Sequence, residues 1–299
     1  MKKYAFFSLA VLAMVSCSKE ELATVNQGNE SDDEMVYVDV TASMPECQDP
    51  VSRTEVDGLG ESNISLKWSA ADTKAYGMTI YQKEGAYVMG NPSFYATPSA
   101  DGKTLSFIAG FNNPKKAYLV YPQLPKDNSN NTMTFALDYN QSKSTFSKNN
   151  LMLTEFDITK PEAFVTYKHE ISMLKVFVEE NNKSKTLESV SFFPKVIGME
   201  GKYENVLNSK ITLGVSEQGE LTKTYERPNP SAWIKYKLDE SEQGGREFVF
   251  CILPPAQKAM AATEAQFNVK YTDGTIFDYT LVKNPENKFL EAFNALAAG

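Results

Sequence analysis

Residues 266–281 read QFNVKYTDGTIFDYTL, and this stretch indicates the fold class. Phe267, Val269 and Tyr271 alternate with polar residues, which is the period of a β-strand with one buried face. Asp273-Gly274 separates this run from a second alternating run, a pattern typical of a β-hairpin. The stretch therefore predicts two antiparallel strands joined by a turn.

The same two-residue period recurs along most of the chain. It is seen in five further runs: Val36, Val38 and Val40; Ile64, Leu66 and Trp68; Leu105 and Phe107; Met133, Phe135 and Leu137; Ile211, Leu213 and Val215. Residues 118–121 are apolar on both faces and stop at Pro122. Many short strands with Gly, Pro and Asn between them predict an all-β protein, built as one β-sandwich or a pair of them.

The longest predicted strand is residues 163–178. Its apolar residues change phase between Met173 and Leu174, which indicates a bulge or a crossing between two packing partners. Lys160-Pro161 lies just before this strand and marks the predicted domain boundary. The resulting domains, 35–160 and 161–299, have about 130 residues each, which is an ordinary domain size.

Residues 286–298 depart from the strand pattern. Phe289, Phe293 and Leu296 recur there at helical spacing, after Asn284-Pro285. This segment predicts a short amphipathic helix that packs against the second domain.

The N-terminus carries a targeting signal. Residues 1–17 read MKKYAFFSLAVLAMVSC, in which two lysines precede an apolar run that is too short to span a bilayer. The run ends at Cys17 and resembles a bacterial lipobox, which implies cleavage before Cys17, acylation of its thiol and a stable membrane anchor. The prediction is a lipoprotein signal peptide over residues 1–16. A soluble secretory signal with an incidental cysteine is the alternative.

Residues 17–34 follow as an acidic segment with six acids and one lysine. Such a segment has too little apolar content to build a core, so it predicts a disordered tether. It resembles the surface-export signal of some Gram-negative lipoproteins, and a solvated spacer fits the same composition.

Composition excludes several classes of function. The chain has 299 residues, a net charge of −8, one histidine and three cysteines. An acidic chain without a basic cluster is a poor nucleic-acid binder. So few His and Cys residues disfavour zinc sites and His-dependent hydrolases, and no nucleotide-binding or hydrolase motif occurs. We therefore predict no enzyme activity, no metal and no cofactor.

The remaining candidate residues have structural interpretations as well. His169 alternates with apolar residues and is predicted to be a structural histidine facing a core or an interface. Cys47 and Cys251 are predicted to be unpaired thiols, although the compartment permits a disulfide. Trp68 is predicted in the core. Trp233 follows a Pro-Asn-Pro turn and is a candidate ligand platform, with a core position as the alternative.

Several short motifs follow one another along the chain: Ser52-Arg53-Thr54, Leu66–Asp72, Tyr118–Pro122, Tyr139–Gln141, Leu151–Leu153, Phe164–Leu174, Ile252–Pro255 and Tyr271–Gly274. In this order they resemble the fimbrillin family, the subunits of type V pili. The resemblance covers about residues 36–290 and starts from the same lipoprotein leader.

This resemblance implies two transthyretin-like β-sandwich domains in tandem, without enzymatic activity. It also implies that, in stalk subunits, an Arg-specific protease removes the lipidated leader and the first strand. Arg53 matches the cleavage position, and the strand that would be removed carries Val36, Val38 and Val40. The exposed groove would then accept a strand from another subunit. Arg53 as an ordinary loop arginine is the alternative. The family places its donor strand at the C-terminal end, where this chain has the helix-like segment, and this departure argues against polymerisation through the usual donor. An anchor or tip component, a truncated copy, and a lipoprotein that uses the fold for another binding task are the alternatives.

The predicted function is therefore a surface lipoprotein of the outer membrane that acts as a fimbrial subunit in adhesion. Its predicted partners are other pilus subunits, the membrane through the lipid, and a host or glycan ligand. A glycan-binding lipoprotein of a nutrient-uptake system, with Trp233 in its platform, is the first rival. A hydrolase on a β-sandwich is the second.

Overall fold

The computed structural model describes residues 35–44, 55–60, 63–112, 114–178, 185–197, 203–227, 230–242, 246–253 and 262–282. The predicted signal peptide (1–16), tether (17–34) and C-terminal helix (286–298) lie outside these residues.

The described residues are nearly all β, as predicted. The strands of the first part of the chain are β1 (Met35–Ser43), β2 (Glu55–Gly60), β3 (Asn63–Lys67), β4 (Lys74–Lys83), β5 (Ala86–Gly90), β6 (Ser93–Pro98), β7 (Thr104–Asn112), β8 (Lys116–Tyr121), β9 (Lys126–Asp127), β10 (Thr132–Ala136), β11 (Asn140–Gln141), β12 (Met152–Phe156), β13 (Glu162–Thr166) and β14 (Lys168–His169). Those of the second part are β15 (Ser172–Phe177), β16 (Leu187–Ile197), β17 (Tyr203–Asn205), β18 (Lys210–Val215), β19 (Leu221–Glu226), β20 (Ile234–Lys237), β21 (Glu247–Ile252), β22 (Glu264–Tyr271) and β23 (Ile276–Val282). One short helix, α1, covers Phe146–Asn149, and 3₁₀ turns occur at Lys143–Thr145 and Glu240–Glu242. Within the described ranges, no helix has the length and hydropathy needed to cross a membrane.

The strands assemble into one large sheet and four smaller ones. The large sheet has the order β13-β1-β7-β6-β4-β8-β12-β14, and β5 pairs with β4. A second sheet has the order β19-β18-β10-β9, and a third has the order β11-β20-β16-β22-β23, with β17 on β16. β15 pairs with β21, and β2 pairs with β3.

Strand β8 separates two hydrophobic cores. Ala117 and Leu119 belong to a core formed with β1, β6 and β7, whereas Tyr118 and Val120 belong to a core shared with strands β10 to β22. All four residues are buried. A strand that is buried on both faces has no polar alternation, which explains the continuous apolar run of residues 118–121.

The turn before β7 depends on a glycine. Gly102 has φ +70°, and a Cβ there would lie 2.7 Å from the Trp68 carbonyl oxygen. The close approach comes from a hydrogen bond in which the Trp68 N–H donates to the Gly102 carbonyl over 2.8 Å. Both the backbone conformation and the space therefore favour glycine.

The prediction of one long strand over residues 163–178 is wrong. Three short strands occupy this stretch: β13 pairs with β1, β14 with β12 and β15 with β21. The register of β15 with β21 is regular, so the predicted bulge at Met173-Leu174 is absent. The chain does change packing partners here, but it does so before Ser172. Residue alternation shows which face of a strand is buried and does not show which strand lies beside it. The alternating pattern therefore continues across the two breaks between these three strands.

Strand β16 is the longest strand of the described residues, and the sequence patterns did not single it out. It contains Pro194, which normally argues against a central strand. Here Pro194 lies between the segment paired with β20 (Ser189–Phe192) and the segment paired with β17 (Lys195–Ile197). The missing N–H therefore falls where β16 changes partners.

Ion pairs join the large sheet to the β18–β19 hairpin. Lys116 on β8 contacts both Glu155 and Glu220, and Lys223 on β19 lies 2.7 Å from Glu170. The hydrogen bond to Glu220 raises the pKa of Lys116. The large sheet takes strands from both sides of residue 160, and the domain boundary there stays a prediction.

Candidate functional site

Strand β1 is the candidate functional element, because it carries the three valines of the predicted removable strand. Its sequence MVYVDVTAS alternates, and Val38, Val40 and Ala42 point into the first core with no more than 2% of their surface exposed. Val36 is half-buried at the edge of the same core. The opposite face of β1 carries Tyr37, which is exposed.

β1 lies between two neighbours and is held by both. It pairs with β7 antiparallel over nine residues, from Met35 with Asn112 to Ser43 with Thr104. It pairs with β13 parallel over five residues, from Asp39 with Glu162 to Ser43 with Thr166. Among the described residues, β1 is the one strand that β13 pairs with.

Contacts at both ends of the β13 pairing fix its register. The Asp39 N–H donates to the Pro161 carbonyl over 2.8 Å, and the Tyr167 N–H donates to the Ser43 carbonyl over 3.1 Å. The Ser43 and Thr166 hydroxyl oxygens lie 2.9 Å apart. β1 is therefore an integral strand, although it stands at the N-terminal end of the described residues.

β1 covers an apolar floor. The buried side chains that pack with its valines come from β6, β7 and the start of β4: Ala75, Phe94, Ala96, Leu105, Phe107, Ala109 and Phe111. Phe94 and Phe107 stack with ring centroids 5.7 Å apart. Loss of β1 would leave a groove with this floor and with unpaired N–H and C=O groups along β7.

The outer face of the same strands is unusually apolar. Tyr95 on β6 and Phe164 on β13 are exposed by 89% and 81%, and Tyr37 and Ile108 are exposed as well. Asp39 and Glu162 lie side by side between them. Exposed aromatic residues grouped on one face are typical of a contact surface.

Three of the predicted residues, Cys17, Cys47 and Arg53, lie outside the described residues. The predicted roles of Cys17 in lipidation and of Arg53 in processing stay predictions.

Trp233, the predicted ligand platform, is half-buried. One face of its indole stacks on Phe193, with centroids 4.9 Å apart and an interplanar angle of 19°. Trp68 is buried in the first core, as predicted.

His169 and Cys251 differ in how far they are buried. His169 is half-buried, and its Nδ1 lies 2.9 Å from the Asn150 Oδ1. Cys251 is a buried free thiol whose pKa is raised by burial, so it has little thiolate character. The Gln141 side chain hydrogen-bonds to both the N–H and the C=O of Cys251 over 2.8 Å. The Gln141 side-chain amide thereby makes the two hydrogen bonds that a neighbouring strand would make with Cys251. The sequence pattern alone does not indicate this role.

Comparisons with known proteins give structural neighbours only. No protein-family model matches the sequence, and no curated protein matches it. One similar structure is a proposed cell adhesion protein from Bacteroides ovatus, with 10% identity over 82% of this chain and 85% of that chain and a TM-score of 0.44. The C-terminally truncated tip fimbrial protein Mfa3 from Porphyromonas gingivalis has 12% identity, 89% coverage of each chain and a TM-score of 0.33. The shaft pilin SpaA from Lactobacillus rhamnosus GG has 10% identity, covers 84% of this chain and 95% of that chain, and has a TM-score of 0.21. All three TM-scores lie below 0.5, so none of these neighbours assigns a function to this chain.

Proposed function

We propose that this chain is a cell-surface lipoprotein that acts as a fimbrial subunit in adhesion and assembles by strand exchange at the position of β1. The observation that carries the proposal is β1 itself. It is the first described strand, it fills an apolar groove with alternate side chains, and it is followed by a segment that contains Arg53.

Cleavage after Arg53 would separate β1 from the rest of the chain. The cut falls ten residues beyond Ser43, and β1 would then be held by hydrogen bonds and burial alone. An incoming strand of another subunit could replace it if that strand ran antiparallel to β7. It would need three small apolar side chains at alternate positions, in place of Val38, Val40 and Ala42.

Strand exchange of this kind builds a filament because the contact is heterologous. The groove of one subunit and the donor strand of the next are different surfaces, so the contact can repeat from subunit to subunit and extends a filament where its rotation does not close a ring. The lipid on Cys17 would hold the uncut chain at the outer membrane. A chain that keeps β1 would then be an anchor or tip, and a cut chain would be able to accept a neighbour.

Arg-specific proteolysis of the chain from residue 18 onward tests the processing step. We expect one early cut after Arg53, identified by mass spectrometry, and Arg53→Lys is the matched variant that resists this protease. Equal digestion of the two proteins at other arginines, with no cut after Arg53, would contradict the proposal.

A peptide competition tests the exchange step on the cut chain. A labelled peptide of residues 35–43 should replace the cut strand and migrate with the protein in size-exclusion chromatography. A matched peptide with Asp at positions 38 and 40 should not bind, because it would place two charges in the apolar groove. Binding of both peptides, or of neither, would show that β1 is not an exchangeable strand.

A further inference from the structure

Two motifs that strand exchange leaves unexplained line one surface cavity. The segment Leu66–Asp72 leads into β4, and Tyr118–Pro122 contains most of β8 and its end. β4 and β8 are antiparallel neighbours inside the large sheet and pair in the register Tyr76 with Val120. The start of β4 and the end of β8 therefore lie side by side, and the two segments meet there. The cavity between them has a volume of about 330 Å³. Small-molecule sites typically measure about 300–1,000 Å³.

Aromatic rings form one part of this cavity. Tyr76 and Tyr121 are half-buried, with ring centroids 6.4 Å apart and an interplanar angle of 51°. Tyr121 and Trp68 pack in a T-shaped arrangement with ring centroids 5.8 Å apart, and the rings of Trp68 and Tyr167 lie 5.7 Å apart between centroids. Since Trp68 is buried, the rings at the cavity are supported from the core and have little freedom to move.

Polar side chains form the other part. Asp72, Thr73, Lys74 and Gln123 line the cavity, and all but Asp72 are exposed. One oxygen of Asp72, Oδ2, accepts a hydrogen bond from the Ser69 N–H over 2.7 Å. This bond fixes the carboxylate and directs it within the turn. The turn itself is tied to β6 by a hydrogen bond from the Ala96 N–H to the Thr73 carbonyl over 3.0 Å.

The combination favours a sugar over other ligands. A phosphate or a nucleotide would meet one lysine next to a carboxylate, which is a poor anion site. A purely apolar ligand would cover the other oxygen of the Asp72 carboxylate without offering it a hydrogen bond. A pyranose has hydroxyls that can donate to Asp72 and accept from Lys74 and Gln123, and it has an apolar face that can pack on a tyrosine ring.

We infer that this cavity binds one pyranose unit of a neutral glycan. The inference supplies a ligand class for the proposed adhesive role, and it does not depend on strand exchange. It also differs from a platform at Trp233, whose indole has one face covered by Phe193.

Saturation-transfer NMR with galactose, mannose, N-acetylglucosamine and lactose, at millimolar concentration, tests the inference on the uncut chain from residue 18 onward. 3′-Sialyllactose serves as the acidic probe. We expect at least one neutral sugar to bind. The double variant Lys74→Ala/Gln123→Ala should weaken the binding of that sugar at least tenfold, because it removes two hydrogen-bond donors from the cavity. Both side chains are exposed, so their loss should leave the fold intact.

Two further variants locate the site. Tyr76→Phe should retain binding and Tyr76→Ala should lose it, with the thermal unfolding midpoint reported for each, because the ring and not its hydroxyl contacts the sugar. Trp233→Ala should bind like the natural chain. Four outcomes would each overturn the inference. No neutral sugar binds, or only the sialylated probe binds; the double variant keeps its affinity; or binding is lost in Trp233→Ala alone. None of these outcomes affects the protease and peptide tests of strand exchange.

Discussion

Strands β1 and β23 have similar compositions and opposite environments. MVYVDVTAS and IFDYTLV are both rich in β-branched and aromatic residues with one aspartate each. β1 is paired on both sides and buries three side chains, whereas β23 is paired with β22 in the described part of the chain and leaves Phe277 and Tyr279 about half exposed, at 45% and 54%. Strand propensity therefore predicts that both segments are strands, and only their neighbours decide how much each stabilises the fold.

The largest difference is expected when a charge is placed on each strand. Val38→Asp buries a carboxylate among Phe94, Phe107 and Phe111, and it should cost at least about 4 kcal/mol of unfolding free energy. Tyr279→Asp on the exposed face of β23 should cost about 1 kcal/mol or less. Urea unfolding of both variants measures the difference. Equal costs would show that β1 is not part of the core of the folded chain.

A smaller difference is expected at the two turns that lead into these regions. Gly102 precedes β7, the partner of β1, and Gly274 precedes β23, and their φ values are +70° and +87°. Alanine at either position pays the left-handed cost of about 1–2 kcal/mol. At position 102 the contact with the Trp68 carbonyl should raise the total to about 2–5 kcal/mol. At position 274 nothing lies within 4 Å of the added Cβ. Thermal unfolding midpoints of the two variants test this order, and a larger loss for Gly274→Ala would reverse it.

A hydroxyl deletion should give a smaller effect again. Thr166→Val removes one of two partners of the Ser43 hydroxyl, which also donates to the Val165 carbonyl, and it keeps the β-branched shape, so we expect a loss of about 0.5–1 kcal/mol. Thr280→Val makes the same change on the exposed surface of β23 and should leave the stability within about 0.5 kcal/mol. The comparison uses urea midpoints at constant pH. A Thr166 variant as stable as the natural chain would mean that the backbone pairing alone fixes β13.

The smallest expected effect is a pH dependence of the folding stability that comes from Asp273 in the β22–β23 turn. A hydrogen bond from Lys185 and others from Thr275 lower the pKa of Asp273 to about 2. Because the pKa is lowered by folding, the stabilisation is present above the ordinary value of 3.8 and is lost as the pH falls toward about 2. NMR titration of the Asp273 carboxyl measures the pKa directly. Asp273→Asn should remove the contribution of this carboxyl to the pH dependence of stability between about pH 2 and pH 3.8. Asp278→Asn, on the same hairpin, is the control and should leave that contribution in place.

Much of the fold could be predicted from residue alternation. The faces of β1 and the burial of β8 follow directly from valines at every second position and from an unbroken apolar run. β16 was missed because Pro194 argues against a central strand, although its pairing with β22 continues through Pro194 and only the other edge changes from β20 to β17. The break of residues 163–178 into three strands was missed because alternation continues through the strand ends.

The candidate sites were less predictable. The cavity of Asp72, Tyr76 and Tyr121 forms through pairing between strands that are more than 30 residues apart, so no local pattern marks it. Gln141 was found only through the family resemblance, because its role depends on the backbone of Cys251. Trp233 was singled out by its turn, and its stacking partner Phe193 could not be inferred from the sequence.

The parallel pairing of β1 with β13 has a mechanical consequence. If the chain is tethered through Cys17, tension enters at Met35 and runs along the axis of β1. The hydrogen bonds to β7 are perpendicular to that axis and those to β13 cross it at a slant, so the load is shared among them in shear and many must break together. A strand held in this way resists extraction by pulling, while a cut in the segment after Ser43 leaves it free to be displaced stepwise from that end. The same geometry that resists force would then permit replacement by a competing strand.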